Sequence, residues 1–236
     1  MNTVKIWYLQ QFNLLQELPK TELEYLARVM PLVRYREGEE ILLAEEGTAK
    51  VYFIKKGIVK IGTYDESGQE DLKYLVQEGN IFGELALVDQ EDPNEFAVAV
   101  EESLICPMDL ATMRYLMERY PGLNKAVIQL MGERIKKLER RLSSILFKPS
   151  KERVREFIAD YLQTFGREQE DGSLKVRNQL THSDMARFTA TSRQTVNAVL
   201  NQLRKRGLID YNKDWMWTTL EDLKMIPPPA LSWEVS

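Results

Sequence analysis

The apolar positions of this chain change their period several times. Over residues 10–35, Leu14, Leu15, Leu18, Leu23, Leu26 and Val29 recur at roughly helical spacing, so this stretch is expected to be helical. From Arg36 to Met108 the texture is short β-rich runs such as EEILLAEEG, VYFIKKG, IVKIGTYDESG and LKYLVQEG. Gly38, Gly47, Gly57, Gly62, Gly68, Gly79 and Gly83 punctuate the runs, as turns with positive φ would require. Many short strands with close turns predict a compact β-roll of the jelly-roll kind. Helical period returns at Asp109, a candidate N-cap for LATMRYLMERY, and Pro121-Gly122 breaks it.

A long helix is expected from there to about Leu146. Ile128, Met131, Ile135, Leu138, Leu142 and Ile145 lie alternately three and four residues apart, a heptad seam flanked by Glu133, Lys136, Lys137, Glu139, Arg140 and Arg141. The charged flanks favour a two-helix homodimer interface along this seam. A second stripe, Leu123, Val127 and Leu130, is suited to packing on the β-roll. Phe147-Lys148-Pro149 ends the helix and marks a candidate hinge, after which Ser150 is a candidate cap for KERVREFIADYLQTFG. The pattern is α+β, with residues 1–120 as the β-roll, 121–147 as the connecting helix and 148–236 as a C-terminal domain.

Within the last part, Thr181 and Asp184 form a candidate capping box for a short helix whose apolar side is Met185, Ala186 and Phe188. Thr189-Ala190-Thr191 reads as a turn. Ser192 or Thr191 then caps a second helix with Val196, Val199, Leu200 and Leu203 inward. Its first turns present Ser192, Arg193, Gln194, Thr195 and Asn197. Arg can fork onto guanine, while Gln or Asn can pair with adenine. Arg204-Lys205-Arg206 and Gly207 end the helix, and two short strands around Asn212-Lys213-Asp214 complete a winged helix-turn-helix. His182 and Arg204 are candidate phosphate contacts, and Thr181 is counted with the DNA-binding residues. Lys148, Lys151, Arg153, Arg155, Arg193, Lys205 and Arg206 extend the candidate electrostatic footprint. The tail IPPPALSWEVS reads as irregular, with Trp233 as a possible docking residue.

Charge sharpens the division. Residues 1–120 hold 12 basic and 22 acidic side chains, a net of −10, whereas residues 121–236 hold 20 and 14, a net of +6. Only the second half is expected to meet a polyanion such as double-stranded DNA. No run is long and apolar enough to suggest a membrane helix, and the N-terminus has no signal-peptide pattern, so a cytoplasmic location is expected. One Cys and one His leave no intrachain disulfide, Cys-cluster zinc site or iron–sulfur cluster, and no nucleophile–base constellation or P-loop is visible. The sequence therefore argues against an enzyme. Cys106 reads as a small buried hydrophobe at a strand end.

The ordered set of features resembles the Crp/Fnr family of bacterial transcription regulators over nearly the whole chain. The resemblance rests on the Gly-spaced β-roll, the cassette-like Phe82-Gly83-Glu84-Leu85-Ala86-Leu87, the long helix, and Ser192-Arg193-Gln194-Thr195-Val196. It implies a homodimer that binds a palindromic site, with RNA polymerase as a partner if the protein activates. It also implies a sensor pocket around Gly83, Glu84, Leu85, Asn94 and Glu95. The alternative is an effector-gated module acting on a protein partner, which the basic reading tract disfavours.

Departures from the family pattern matter as much. Members that bind cyclic AMP carry Arg followed by Ser or Thr about ten residues after Gly-Glu-Leu. An ungapped count places Asn94 and Glu95 there, and no Arg occurs between Arg36 and Arg114. A phosphate buried without its cation and beside a carboxylate is strongly disfavoured, so cyclic AMP is not expected to bind, and no cofactor is expected. Glu84 is expected to persist structurally, for example by bonding turn amides. The lone His182 lies outside the sensor, which excludes a His-ligated haem there. Gln194 stands where the family often has Glu, and Ala198 where a second Arg is common, so the half-site should depart from the family consensus. Ala190, often Gly in relatives, carries a modest cost if its backbone is left-handed.

Overall fold

A computed structural model describes residues 9, 12–16, 18–41, 49–64, 66, 68, 70–90, 92 and 94–226. Gly47 and the tail with Trp233 lie outside them. The chain forms two compact units, Met1–Glu133 and Arg134–Ser236. The boundary falls inside the long helix, one residue after Gly132.

In the first unit a 3-10 turn, Asn13–Leu15, and α1, Lys20–Val29, precede the sheets. Leu14, Leu15, Leu18, Leu23 and Leu26 are buried as their period implies, but Val29 is 49% exposed. Residues 33–35 are not helical. Pro31 follows the end of α1, and Val33–Tyr35 pairs as strand β1. The remaining strands are β2 (Glu40–Ile41), β3 (Lys50–Lys56), β4 (Ile58–Tyr64), β5 (Glu70–Gln77), β6 (Ile81–Phe82), β7 (Glu95–Ala99) and β8 (Ser103–Asp109). They form two antiparallel sheets, β1-β8-β3-β6 and β2-β7-β4-β5. One core lies in the roll, where Tyr52 stacks on Phe82 at 4.8 Å among Ile54, Val59, Ile61 and Ile105. Another gathers the N-terminal helix, the far side of the first sheet and the helices that follow. Cys106 lies within β8, not at its end, and is buried.

Two glycines show what the punctuation does. Gly83 has φ +78, and a Cβ there would stand 2.5 Å from the Lys50 carbonyl oxygen. Gly62 is not a turn residue. It lies inside β4, and the Phe96 ring occupies the space of a Cβ, 2.3 Å away. The signal was a close approach of a ring rather than a positive φ.

The β4–β5 register shifts between Ile61 and Gly62, so Lys73 is the extra residue of a bulge. Its ammonium reaches across β4 to Asp92 at 2.9 Å and Glu95 at 3.0 Å, and Thr63 donates its hydroxyl to Asp92. Burial pulls the Lys73 pKa down, but the hydrogen bonds to the two carboxylates outweigh it and hold the pKa above the usual lysine range. Asp92 is held below the usual carboxylate range, first by its hydrogen bond from Lys73.

After β8, α2 spans Leu110–Arg119, and the Asp109 carboxylate accepts from the Thr112 amide at 2.7 Å, the expected cap. The long helix α3 is Pro121–Phe147. Its stripe Leu123 and Val127 is buried in the first unit, with Leu130 packed against the same core. The seam positions Ile128, Ile135, Leu138 and Leu142 are instead exposed. Among the described residues, no helix is long and apolar enough to cross a membrane.

The second unit continues with α4 (Ser150–Phe165), β9 (Arg167–Glu168), β10 (Ser173–Arg177), α5 (His182–Phe188), α6 (Arg193–Lys205), β11 (Asp210–Tyr211), β12 (Trp215–Thr219) and α7 (Leu220–Met225). Ser150 is the first helical residue rather than a cap, because Pro149 holds the N-cap position and offers no side-chain acceptor.

Folded-state pKa shifts fix the pH window of the Lys73 cluster. Asp92 is depressed, so its contribution is complete above about pH 4 and fades as the pH falls through the folded value. Lys73 is raised, so its part is complete below about pH 10 and is lost as the pH rises through the folded value. Lys73→Met is therefore expected to destabilise the sensor at neutral pH by up to about 1 kcal/mol, the pair being partly exposed and screened. The deficit, followed by urea unfolding across pH, should shrink on acidification. A deficit that grows in acid contradicts the ion-cluster account.

Candidate nucleic-acid interface

The reading head is built by caps. Thr181 Oγ1 accepts from the Asp184 amide at 3.1 Å, and Asp184 Oδ2 accepts from the Thr181 amide at 2.8 Å, a complete capping box. His182 opens α5, half-buried beside a cleft. Ser192 caps α6 by accepting from the Thr195 amide at 3.1 Å, and its hydroxyl also lies 3.0 Å from that of Thr195. Both hydroxyls are thus engaged at the helix start. The next outward residues, Arg193 and Gln194, are exposed, Asn197 is half-exposed, and Ala198 is exposed. Val196, Val199, Leu200 and Leu203 are buried and hold α6 against α4 and α5. The helix N-terminus adds a partial positive charge where Arg193 stands.

The condition on the turn is met, since Ala190 is left-handed with φ +48. Gly207, at φ +72, follows the C-cap Arg206. The wing is broader than the sequence implied. β12 pairs not only with β11 but also with β10, which pairs with β9, giving a four-stranded sheet. Its tip is pinned by Asn212, whose side-chain oxygen accepts from the Asp214 and Trp215 amides, both at 2.9 Å. Asn178 donates to the Asn212 carbonyl at 2.7 Å.

A cleft of about 490 Å³ lies between the start of α5, the end of α6 and the wing, bordered by Asn178, Thr181, His182, Arg204, Tyr211 and Lys213. It brings Thr181, His182 and Arg204 together, and it adds Lys213. The wing pattern Asn-Lys-Asp placed this exposed lysine at a turn tip but did not distinguish it from a solvated one.

Several basic residues of the expected footprint are committed inside the fold. Lys148 pairs with Glu156, Arg155 donates to Gln202 at 3.0 Å, and Arg153 donates to backbone carbonyls. Arg204 Nε lies 2.7 Å from Asp210, and its guanidinium stacks over Tyr211. Its charge is thereby shared with the wing. Lys151, Arg193, Lys205 and Arg206 are exposed.

In the sensor, Gly83 precedes the 3-10 turn Glu84–Val88 that follows β6, with Glu84 only 2% exposed and Leu85 38% exposed. Asn94 is exposed in the turn before β7, with its amide donating to Asp92 at 3.0 Å. Glu95 opens β7 and faces Lys73. The first group follows β6 of one sheet, and the second lies at the start of β7 of the other. The cation of this region, Lys73, went unnoticed in the sequence because a bulge, not the residue's spacing, aims it across the sheet.

A family model described as the cyclic nucleotide-binding domain matches residues 32–120, and one described as the Crp-like helix-turn-helix domain matches residues 152–226. A CRP-like cAMP-activated global transcriptional regulator of Mycobacterium tuberculosis is 26% identical over 201 residues, 85% of this chain and 89% of that one. A global nitrogen regulator of Synechocystis is 25% identical, covering 79% of this chain and 84% of that one. Among solved structures, FixK2 from Bradyrhizobium japonicum has the same fold, with a TM-score of 0.69 at 16% identity, over 84% of this chain and 97% of that one. With both domains matched in this order, one on each side of α3, and with a capped reading helix beside its wing, the chain belongs to the Crp/Fnr family of DNA-binding transcription regulators.

Proposed function

We propose that two copies of this chain pair along α3 and that each places α6 in the major groove of one half of a palindromic site. The observation that carries the reading is the start of α6, where Arg193 and Gln194 stand exposed on a capped helix end. Arg193 is assigned to guanine, and Gln194 and Asn197 to adenine. His182, Lys205, Arg206 and Lys213 are assigned to phosphates and Arg204 to holding the wing, while Thr181, whose amide and hydroxyl both bond Asp184, serves as the cap of α5. Pairing is supported by the seam, where Ile135, Leu138 and Leu142 are 57%, 59% and 57% exposed although apolar. Such a stripe is costly in water and at home in a two-helix interface.

The sensor does not answer to cyclic AMP in this reading. Near the start of β7, where relatives that bind it supply an Arg, Glu95 and Asp92 already share Lys73, so an entering phosphate would meet two carboxylates and a cation already engaged. The protein acts in the cytoplasm, with RNA polymerase as a partner if it activates.

Selection of DNA sites from a random pool should return a palindrome that departs from the family consensus. Arg193→Ala should then lose discrimination at one base pair per half-site, by about 1–3 kcal/mol. Unchanged discrimination in that variant contradicts the assignment of the reading face. In calorimetric titration, cyclic AMP is expected to release no binding heat, and micromolar binding contradicts the sensor reading.

A further inference from the structure

The turn between α5 and α6 ends in carbonyl groups that the short helix α5 leaves without helical partners. Two arginines from outside the motif take them in succession. Arg141 of α3 donates from Nε to the Phe188 carbonyl at 3.1 Å, and its guanidinium lies 4.1 Å from the centre of the Phe188 ring. Arg153 of α4 donates to the Thr189 carbonyl at 2.8 Å and to the Ala190 carbonyl at 2.7 Å. Its third bond, at 2.7 Å, goes to the carbonyl of Lys148, between α3 and α4. Phe188 also packs against Phe157 of α4, with ring centroids 5.0 Å apart.

The α3–α4 junction is itself pinned. Glu156, only 8% exposed, accepts from Ser144 at 3.1 Å and pairs with Lys148. A continuous set of bonds therefore runs from the last turns of α3, through the junction, to the turn that sets the direction of α6. Arg141 stands between Leu138 and Leu142 of the exposed seam, so the helix that carries the pairing surface also holds the reading turn. Neutral donors would do this less well. A guanidinium makes several charge-assisted bonds in a fixed plane, so it resists rotation of the peptide groups it holds.

We propose that Arg141 and Arg153 are positioning residues that fix the angle of α6 against α3 and so determine which spacing between half-sites the dimer accepts. This rests on the homodimer reading above. In a two-fold dimer the seam sets the axis, and the arginine bonds set where each α6 lies from it. Each base pair added between half-sites turns one of them by roughly 35° about the duplex and moves it by about 3.4 Å, more than a firmly held helix pair can follow.

The test is binding to a set of palindromes with one half-site sequence and spacers lengthened or shortened by one and by two base pairs. A second pool with randomised half-sites is read in parallel, and sedimentation reports the assembly state. The wild type should sediment as a dimer and prefer one spacer by about tenfold or more. Arg141→Met keeps the stem over Phe188 but removes the donors. It should bring the spacers to within about threefold of one another while base preference within the half-site stays that of the wild type. Arg153→Lys keeps the charge but cannot hold both turn carbonyls and the junction carbonyl at once, and it should act in the same direction. It serves also if Arg141→Met folds poorly.

An undiminished spacer preference in both variants overturns the proposal. So does loss of base preference together with spacing, because the arginines would then maintain the motif rather than aim it. A wild type that sediments as a monomer on DNA identifies failure of the dimer reading itself, and the spacing role falls with it.

Discussion

Ala190 sits in a left-handed conformation that costs a residue with a side chain roughly 1–2 kcal/mol. Everything the reading helix does depends on that turn being held. Its carbonyls are taken by Arg141 and Arg153, its entry helix is fixed by the Thr181–Asp184 box, and its exit helix is fixed by Ser192. The strain is tolerable because the surroundings over-determine the conformation, with four buried aliphatic residues of α6 holding the helix to α4 and α5. A side chain can tell guanine from adenine only if its backbone is fixed more tightly than the spacing of base edges. The polar residues around the turn are therefore used for placement.

Charge follows the same division of labour. The C-terminal half is basic, yet Lys148, Arg153, Arg155 and Arg204 hold internal acceptors. Exposed cations stand at the start and end of α6, Arg193, Lys205 and Arg206, and at the wing tip, Lys213. In the acidic half, Lys73 is turned inward by a bulge and satisfies two carboxylates at the edge of the roll.

Elements that rest on local chemistry were legible in the sequence. The caps at Asp109, Thr181 and Ser192 and the inward row of α6 each follow from a few neighbouring residues. Features that depend on distant partners were not. Residues 33–35 became a strand because β8 offered an edge, Val29 ended exposed, and Gly62 made room for Phe96. β9 and α7 are too short for a period to declare itself. The roles of Arg141 and Arg153 were hidden for the same reason, because a basic residue on a helix looks alike whether it faces solvent, phosphate or a carbonyl 36 or more residues away.

The most direct test of the central claim is amide hydrogen exchange of the full chain with and without DNA carrying its selected site. The account predicts slowed exchange at residues 181–184, at 192–197 and in the wing at 211–215, where the capped helix starts and the pinned turn meet the duplex. Slowed exchange confined to the strands of the β-roll, with these three segments unchanged, would contradict it.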